Sequence, residues 1–162
     1  MKKILLLLVV FPMVALSILP TKTVLADSVQ YRSEKFLNKV SKFNQTLNKK
    51  LYKQIKSADS PTSIEQRSQH LNHSWFTFIN KINYLKNDQL EIYVNDDFKK
   101  LSNTKRAQVV GFVQQLTLAN LDIIKGVNPT TYKQGLFSAV FCDGKFLGRT
   151  LFLDHKDFLW ND

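Results

Sequence analysis

Leu136-Phe137-Ser138-Ala139-Val140-Phe141-Cys142-Asp143-Gly144-Lys145-Phe146-Leu147-Gly148-Arg149-Thr150-Leu151 is the stretch on which the fold class turns. Two apolar, β-prone runs flank an Asp-Gly pair. That pair is the strongest short-range signal for a two-residue type I′ hairpin turn, because both central residues need positive φ and glycine adopts it freely. Regular pairing from such a turn sets Phe141 opposite Phe146, Val140 opposite Leu147 and Ala139 opposite Gly148. One face of the hairpin then carries Phe137, Ala139, Phe141 and Phe146, and the other carries Val140, Leu147 and Leu151. Both faces are apolar, so the strands are expected to be covered in part on both sides. Asp154-His155-Lys156-Asp157 makes a second turn, and Phe158-Leu159-Trp160 adds a short last strand.

Upstream of the hairpin, Ser102 caps a helix running to about Lys125, where Gly126 suits the left-handed position after a helix end. Its apolar arc is wide, with Val109, Val110, Phe112, Val113, Leu116, Leu121, Ile123 and Ile124. The small residues Ala107, Gly111 and Ala119 lie opposite, where another element could approach closely. Asn120 projects from within the apolar arc and needs partners for its amide if buried. Before this helix, Leu90, Ile92 and Val94 alternate with Glu91 and Tyr93 as in a strand, and Asn95-Asp96-Asp97 turns the chain.

The N-terminal half reads as helical. From Tyr31 to Lys56, the residues Phe36, Leu37, Val40, Phe43, Leu47, Leu51 and Ile55 recur at spacings of three and four, within about 120° of arc. A second helix opens at Ser60-Pro61 with a Thr62-Glu65 capping box, and a stripe of Ile64, Leu71, Trp75, Phe78, Ile82 and Leu85 carries it onward. The short join makes these two an antiparallel pair. The expected fold class is α+β: an N-terminal helical pair, then a β-α-β-β half with a small, antiparallel-rich sheet.

The first 26 residues read as an export signal. Met1-Lys2-Lys3 is basic, Ile4 to Leu19 is almost wholly apolar, and Val24-Leu25-Ala26 presents short side chains at the positions a signal peptidase reads. Cleavage is expected between Ala26 and Asp27, leaving one domain over residues 27–162 that works outside the membrane, secreted or surface-associated. The apolar run is shorter than the roughly 20 residues that span a bilayer. The single cysteine, Cys142, permits no disulfide within the chain, so the domain must be held by its core alone.

The full chain carries a formal charge of +10, and three of the excess positive charges (Lys2, Lys3 and Lys22) leave with the signal. A basic exported domain is drawn to anionic headgroups or wall polymers. The charge is most concentrated on the first helix, where Lys35, Lys39, Lys42, Lys49, Lys53 and Lys56 share the side opposite the apolar stripe, with no acid from Lys35 to Lys56. These six lysines are the expected contact with an anionic membrane or wall surface.

Signals for chemistry are weaker. His70 and His73 stand three apart but point away from the apolar stripe, with no carboxylate or cysteine placed to complete a metal site. Cys142, His155 and Asp154 or Asp157 supply the residue types of a thiol nucleophile with its base, but the returning hairpin strand separates them. Asp96, Asp97 and Asp143 read as turn and cap residues. No phosphate loop, nucleophile elbow, zinc-protease or dinucleotide motif occurs, and no cofactor is expected. Neither a nucleic-acid-binding motif nor an intracellular setting supports a nucleic-acid partner. The sequence thus points to a non-enzymatic, secreted or envelope-associated binding protein. The alternatives are a small hydrolase using His155 and nearby carboxylates, or an immunity or inhibitor protein that docks on another, as yet unidentified, protein.

Overall fold

A computed structural model describes residues 24–57, 64–85, 87–125 and 127–161. Most of the expected export signal lies outside these residues, as do Pro61, Thr62 and Gly126. Val24-Leu25-Ala26 falls within them, at the start of α1 (Val24–Ser57).

Two short helices, α2 (Ile64–Gln69) and α3 (Leu71–Ser74), follow, and a 3-10 turn (Trp75–Phe78) leads directly into strand β1 (Ile79–Tyr84). β2 (Gln89–Val94) returns antiparallel to β1. The chain then crosses over through α4 (Asp96–Lys99), α5 (Asn103–Lys125) and α6 (Pro129–Gln134) to β3 (Phe137–Cys142), which lies parallel to β2. A parallel neighbour requires such a crossover, since a tight turn can only reverse the chain. β4 (Lys145–Thr150) and β5 (Phe158–Trp160) complete a five-stranded sheet of order β1-β2-β3-β4-β5, antiparallel except between β2 and β3. The class is α+β.

The second helix of the sequence reading is therefore cut short: its C-terminal half, with Ile82, is strand β1. The cause is a β-bulge. The register slips between Ile79 and Lys81, leaving Asn80 as an extra residue. A bulge changes which face each following side chain takes. Ile79 and Ile82 are thus both buried although three residues apart, a spacing that otherwise marks a helix. The partner of α1 is consequently β1 together with the 3-10 turn, not a second long helix.

The hairpin forms with its expected turn, Asp143 at φ 48 and Gly144 at φ 75, and Phe141 pairs with Phe146. Beyond that pair the register departs from regular pairing. Leu147 is bulged, so Val140 faces Gly148 and Ala139 faces Arg149. The shift turns Gly148 and Thr150 toward the core, where both are buried. Gly148 is the residue over which β5 crosses: a Cβ there would stand 2.6 Å from Leu159 O and 2.6 Å from Trp160 Cε3. The indole of Trp160 uses that space to reach Phe98, with ring centroids 5.9 Å apart.

The core lies between one face of the sheet and the helices. Ile82, Leu90, Ile92, Val94 and Val140 meet Val109, Val110 and Val113 of α5 and Leu47 and Leu51 of α1 in a single buried cluster. Along β2 and β3 burial alternates strictly, so the opposite face, with Tyr93 and Phe141, is only half-buried. The face carrying Phe137, Ala139 and Phe141 is thus covered in part, as expected. Among the described residues no element packs on Gly111 of α5, where a Cβ would meet nothing within 4 Å. Asn120 is buried and satisfied, donating to Leu116 O at 2.6 Å and accepting from the Lys50 ammonium of α1.

Candidate functional site

All six lysines of the expected surface contact are exposed, along one side of α1. Phe43, Leu47 and Leu51 on the other side are buried, and this burial fixes the helix's rotation about its axis. At 1.5 Å per residue the lysine stripe runs for about 30 Å. Lys56 Nζ lies 4.9 Å from the centre of the Tyr52 ring, a cation-π contact that holds the ammonium at the surface. Near the other end, Lys35, Lys39 and Lys42 line a shallow depression with Glu34 and Asn38. Lys50, on the same helix and also exposed, turns toward α5 and donates to Asn120 Oδ1.

The flank of α1 beside the stripe carries a feature that sequence reasoning missed. Asn44 and Asn48, one turn apart, face the free edge of β1. Asn44 accepts from Tyr84 N at 2.8 Å and donates to Tyr84 O at 3.0 Å. Asn48 accepts from Ile82 N at 2.9 Å and donates to Ile82 O at 2.6 Å. Four residues of helix rise about 6.0 Å and two residues of strand about 6.6 Å, so carboxamides at i and i+4 match edge groups at i and i+2. Each amide satisfies one N–H and one C=O that a sheet edge would otherwise present to another chain. The signal was present as the repeated Asn-x-x-x-Asn on the border of the apolar stripe, but it acquires meaning only once residues 79–84 are known to be strand. Between this flank and the end of β1 lies an open groove of about 880 Å3 that includes Leu37, Gln45, Leu85 and Asn87.

His155 sits in a loop held firmly from below. Gln114, buried in α5, donates to Leu136 O at 2.8 Å, Ser138 Oγ at 3.0 Å and His155 O at 3.1 Å. His155 Nδ1 lies 3.0 Å from Gly135 O, and its ring meets Phe137 edge-on at 5.9 Å. A depression of about 330 Å3 beside it includes Asp88 and Gln134. Tyr84 Oη donates to the Asp88 carboxylate, which orients that acid toward the tyrosine. Cys142 is remote from all of this. It lies at the far end of β3 from Phe137, roughly 16 Å along the strand, so thiol and imidazole are not brought together.

At that far end Cys142, Asp96 and Asp143 place three potential ligand atoms within 4.8 Å of one another. The chemistry there is that of a protonated thiol. Burial, with the Asp143 charge second, pushes the Cys142 pKa up. Lys99 hydrogen-bonds Asp96 and holds its carboxyl below the usual range. The cap of α4 is Asn95 rather than either aspartate: Asp96 and Asp97 stand in its first turn, where their charge suits the helix N-terminus, and Asp97 pairs with Lys100 at 3.0 Å. His70 and His73 are exposed, and their helix ends in Ser74, which donates to His70 O.

One apolar surface stands out. Phe152 is 79% exposed and Leu153 85%, side by side in the β4–β5 loop. The loop is braced by Leu151 N on Asp157 O at 2.9 Å and Lys156 N on Asp154 Oδ1 at 2.9 Å. Among the described residues no helix is long and apolar enough to cross a membrane. Comparison with known proteins finds no matching family model, no similar curated protein and no similar solved structure, so the functional reading rests on these surfaces alone.

Proposed function

We propose that the protein is a secreted or envelope-associated, non-enzymatic binding protein that adheres to anionic surfaces through the lysine face of α1. The observation that carries this reading is the exposure of Lys35, Lys39, Lys42, Lys49, Lys53 and Lys56 along one side of a helix whose other side is buried. Six like charges on one rigid rod add their fields, and nothing in folding requires them to be there, since like charges on a helix face mildly oppose it. Anionic headgroups and phosphate-bearing wall polymers are the surfaces this charge fits.

Changing Lys39, Lys42, Lys49 and Lys53 together to Gln tests it. Because all four are exposed, the variant is expected to keep the wild-type circular dichroism and melting temperature while losing adhesion to anionic vesicles or isolated wall. Adhesion equal to wild type would refute the assignment of the site.

A second reading, docking on another protein, has its own observation in the exposed Phe152-Leu153 pair, since braced apolar side chains in water favour a covering partner. Capture of a partner by the wild type and not by Phe152→Ser/Leu153→Ser would favour it over the lysine face.

A further inference from the structure

We infer that the groove between α1 and the edge of β1 is a subsite for an uncharged sugar chain carrying acetamido groups. The inference deepens the surface-binding reading and rests on it only for the setting in which such a chain is met.

Among the described residues lining the groove, seven of thirteen are Asn or Gln, none is acidic and Lys81 alone is charged. A carboxamide offers one acceptor and two donors, the complement of a hydroxyl or an amide that both gives and takes a hydrogen bond. Such groups serve a hydroxyl or an amide both as donor and as acceptor, whereas a carboxylate or phosphate, an acceptor alone, uses only their N–H groups. Four of the seven are already engaged: Asn44 and Asn48 on the β1 edge, Asn83 on Glu91 at 2.8 Å, and Asn80 on Val94 O at 3.3 Å. Gln45, Asn87 and Gln89 make no side-chain hydrogen bond among the described residues and are the groups left to meet a ligand. Leu37, 56% exposed, and Leu85 supply apolar surface between them, which suits the methyl of an acetamido group and the C–H face of a pyranose ring.

The same geometry argues against an extended peptide as occupant. A peptide joining this groove would do so by adding a strand to β1, and the N–H and C=O groups of Ile82 and Tyr84 that it would pair with are taken by Asn48 and Asn44. A sugar chain needs no such backbone ladder. On α1 the groove flank at Gln45 adjoins Lys42 and Lys49, one turn away on either side. A polymer with neutral sugars and anionic substituents would therefore meet both surfaces at once.

The test uses a neutral probe, the tetramer of β-1,4-linked N-acetylglucosamine, in about 0.5 M NaCl, where screening within a few ångströms silences the lysines. Two-dimensional NMR is expected to show shifts at the side-chain amides of Gln45, Asn87 and Gln89 and the methyls of Leu37 and Leu85. Gln45→Ala/Asn87→Ala should weaken binding about ten-fold or more, and so should replacing the probe by maltotetraose, which lacks acetamido groups. The four-lysine Gln variant should keep the sugar shifts in full, which separates this site from the lysine face. No groove shifts at millimolar sugar, equal affinity in the double variant, equal binding of maltotetraose, or loss of the shifts in the lysine variant would each overturn the proposal.

Discussion

A Cβ at Gly144 would meet nothing within 4 Å, so the only obstacle to a side chain there is its φ of +75. A β-branched residue resists that region strongly, and Gly144→Val is expected to cost about 1–3 kcal/mol in urea unfolding. An unchanged midpoint would mean the turn carries no strain. Cys142 gives a second residue-scale test. It is 2% exposed and its pKa is raised, first by burial and then by the Asp143 charge. Alkylation by iodoacetamide should be slow in the native protein at neutral pH and fast in urea. Linkage gives the sign of the pH effect: a thiol whose folded pKa lies above its ordinary 9.0 stabilises the fold fully below that value. The contribution is lost as pH rises through the ordinary value toward the raised one, because the unfolded chain releases its proton first. Comparing the urea midpoint of Cys142→Ala with wild type across this range isolates the effect; a wild-type midpoint that rises there relative to the variant would contradict it.

At the scale of elements, the covered edge of β1 carries the most specific expectation. Asn48→Ala removes the partners of both Ile82 N and Ile82 O and should cost about 1–3 kcal/mol, since edge groups partly shielded by α1 regain water poorly. Asn44→Ala/Asn48→Ala together should also promote concentration-dependent self-association, visible in light scattering, by opening the edge to other chains. A double variant that stays monomeric and as stable as wild type would show that water does the work of the two amides. The elements that were legible in the sequence are those without bulges. α1, β2, α5 and the Asp143-Gly144 turn each follow a single period from end to end, and β5 follows from the turn before it. β1 is hidden because the extra residue at Asn80 turns Ile82 inward, four residues after the buried Phe78 of the 3-10 turn, which is helical spacing, and the pairing of β4 departs from regular register because Leu147 is bulged. α6 buries no residue and so shows no apolar period, although Asn128-Pro129 is a sound helix start, with Asn128 Oδ1 accepting from Thr130 N at 2.9 Å. Of the functional surfaces, the lysine face could be read because helical period alone places it. The groove could not, since its two walls are 30 to 50 residues apart in the chain and one of them was read as helix.

For the whole molecule, the proposed adhesion would bring a basic domain, expected to be exported, to an anionic surface. Processing is expected at Ala26–Asp27, so N-terminal sequencing of secreted material should read Asp27-Ser28-Val29, with α1 shortened to begin there. Protein retained in the membrane and still beginning at Met1 would contradict cleavage. The charge itself is tested by salt. Attraction between exposed charges decays over about 8 Å at physiological ionic strength and about 3 Å at 1 M, so a contact made by six exposed lysines must weaken steeply across that range. The most direct measurement is co-sedimentation of the protein with vesicles of phosphatidylcholine and phosphatidylglycerol as salt is raised. The account predicts that most of the protein pellets at low salt, that it is released as salt approaches 1 M, and that vesicles of phosphatidylcholine alone bind none. Absence of binding at low salt, or binding that persists unchanged at high salt, would contradict it.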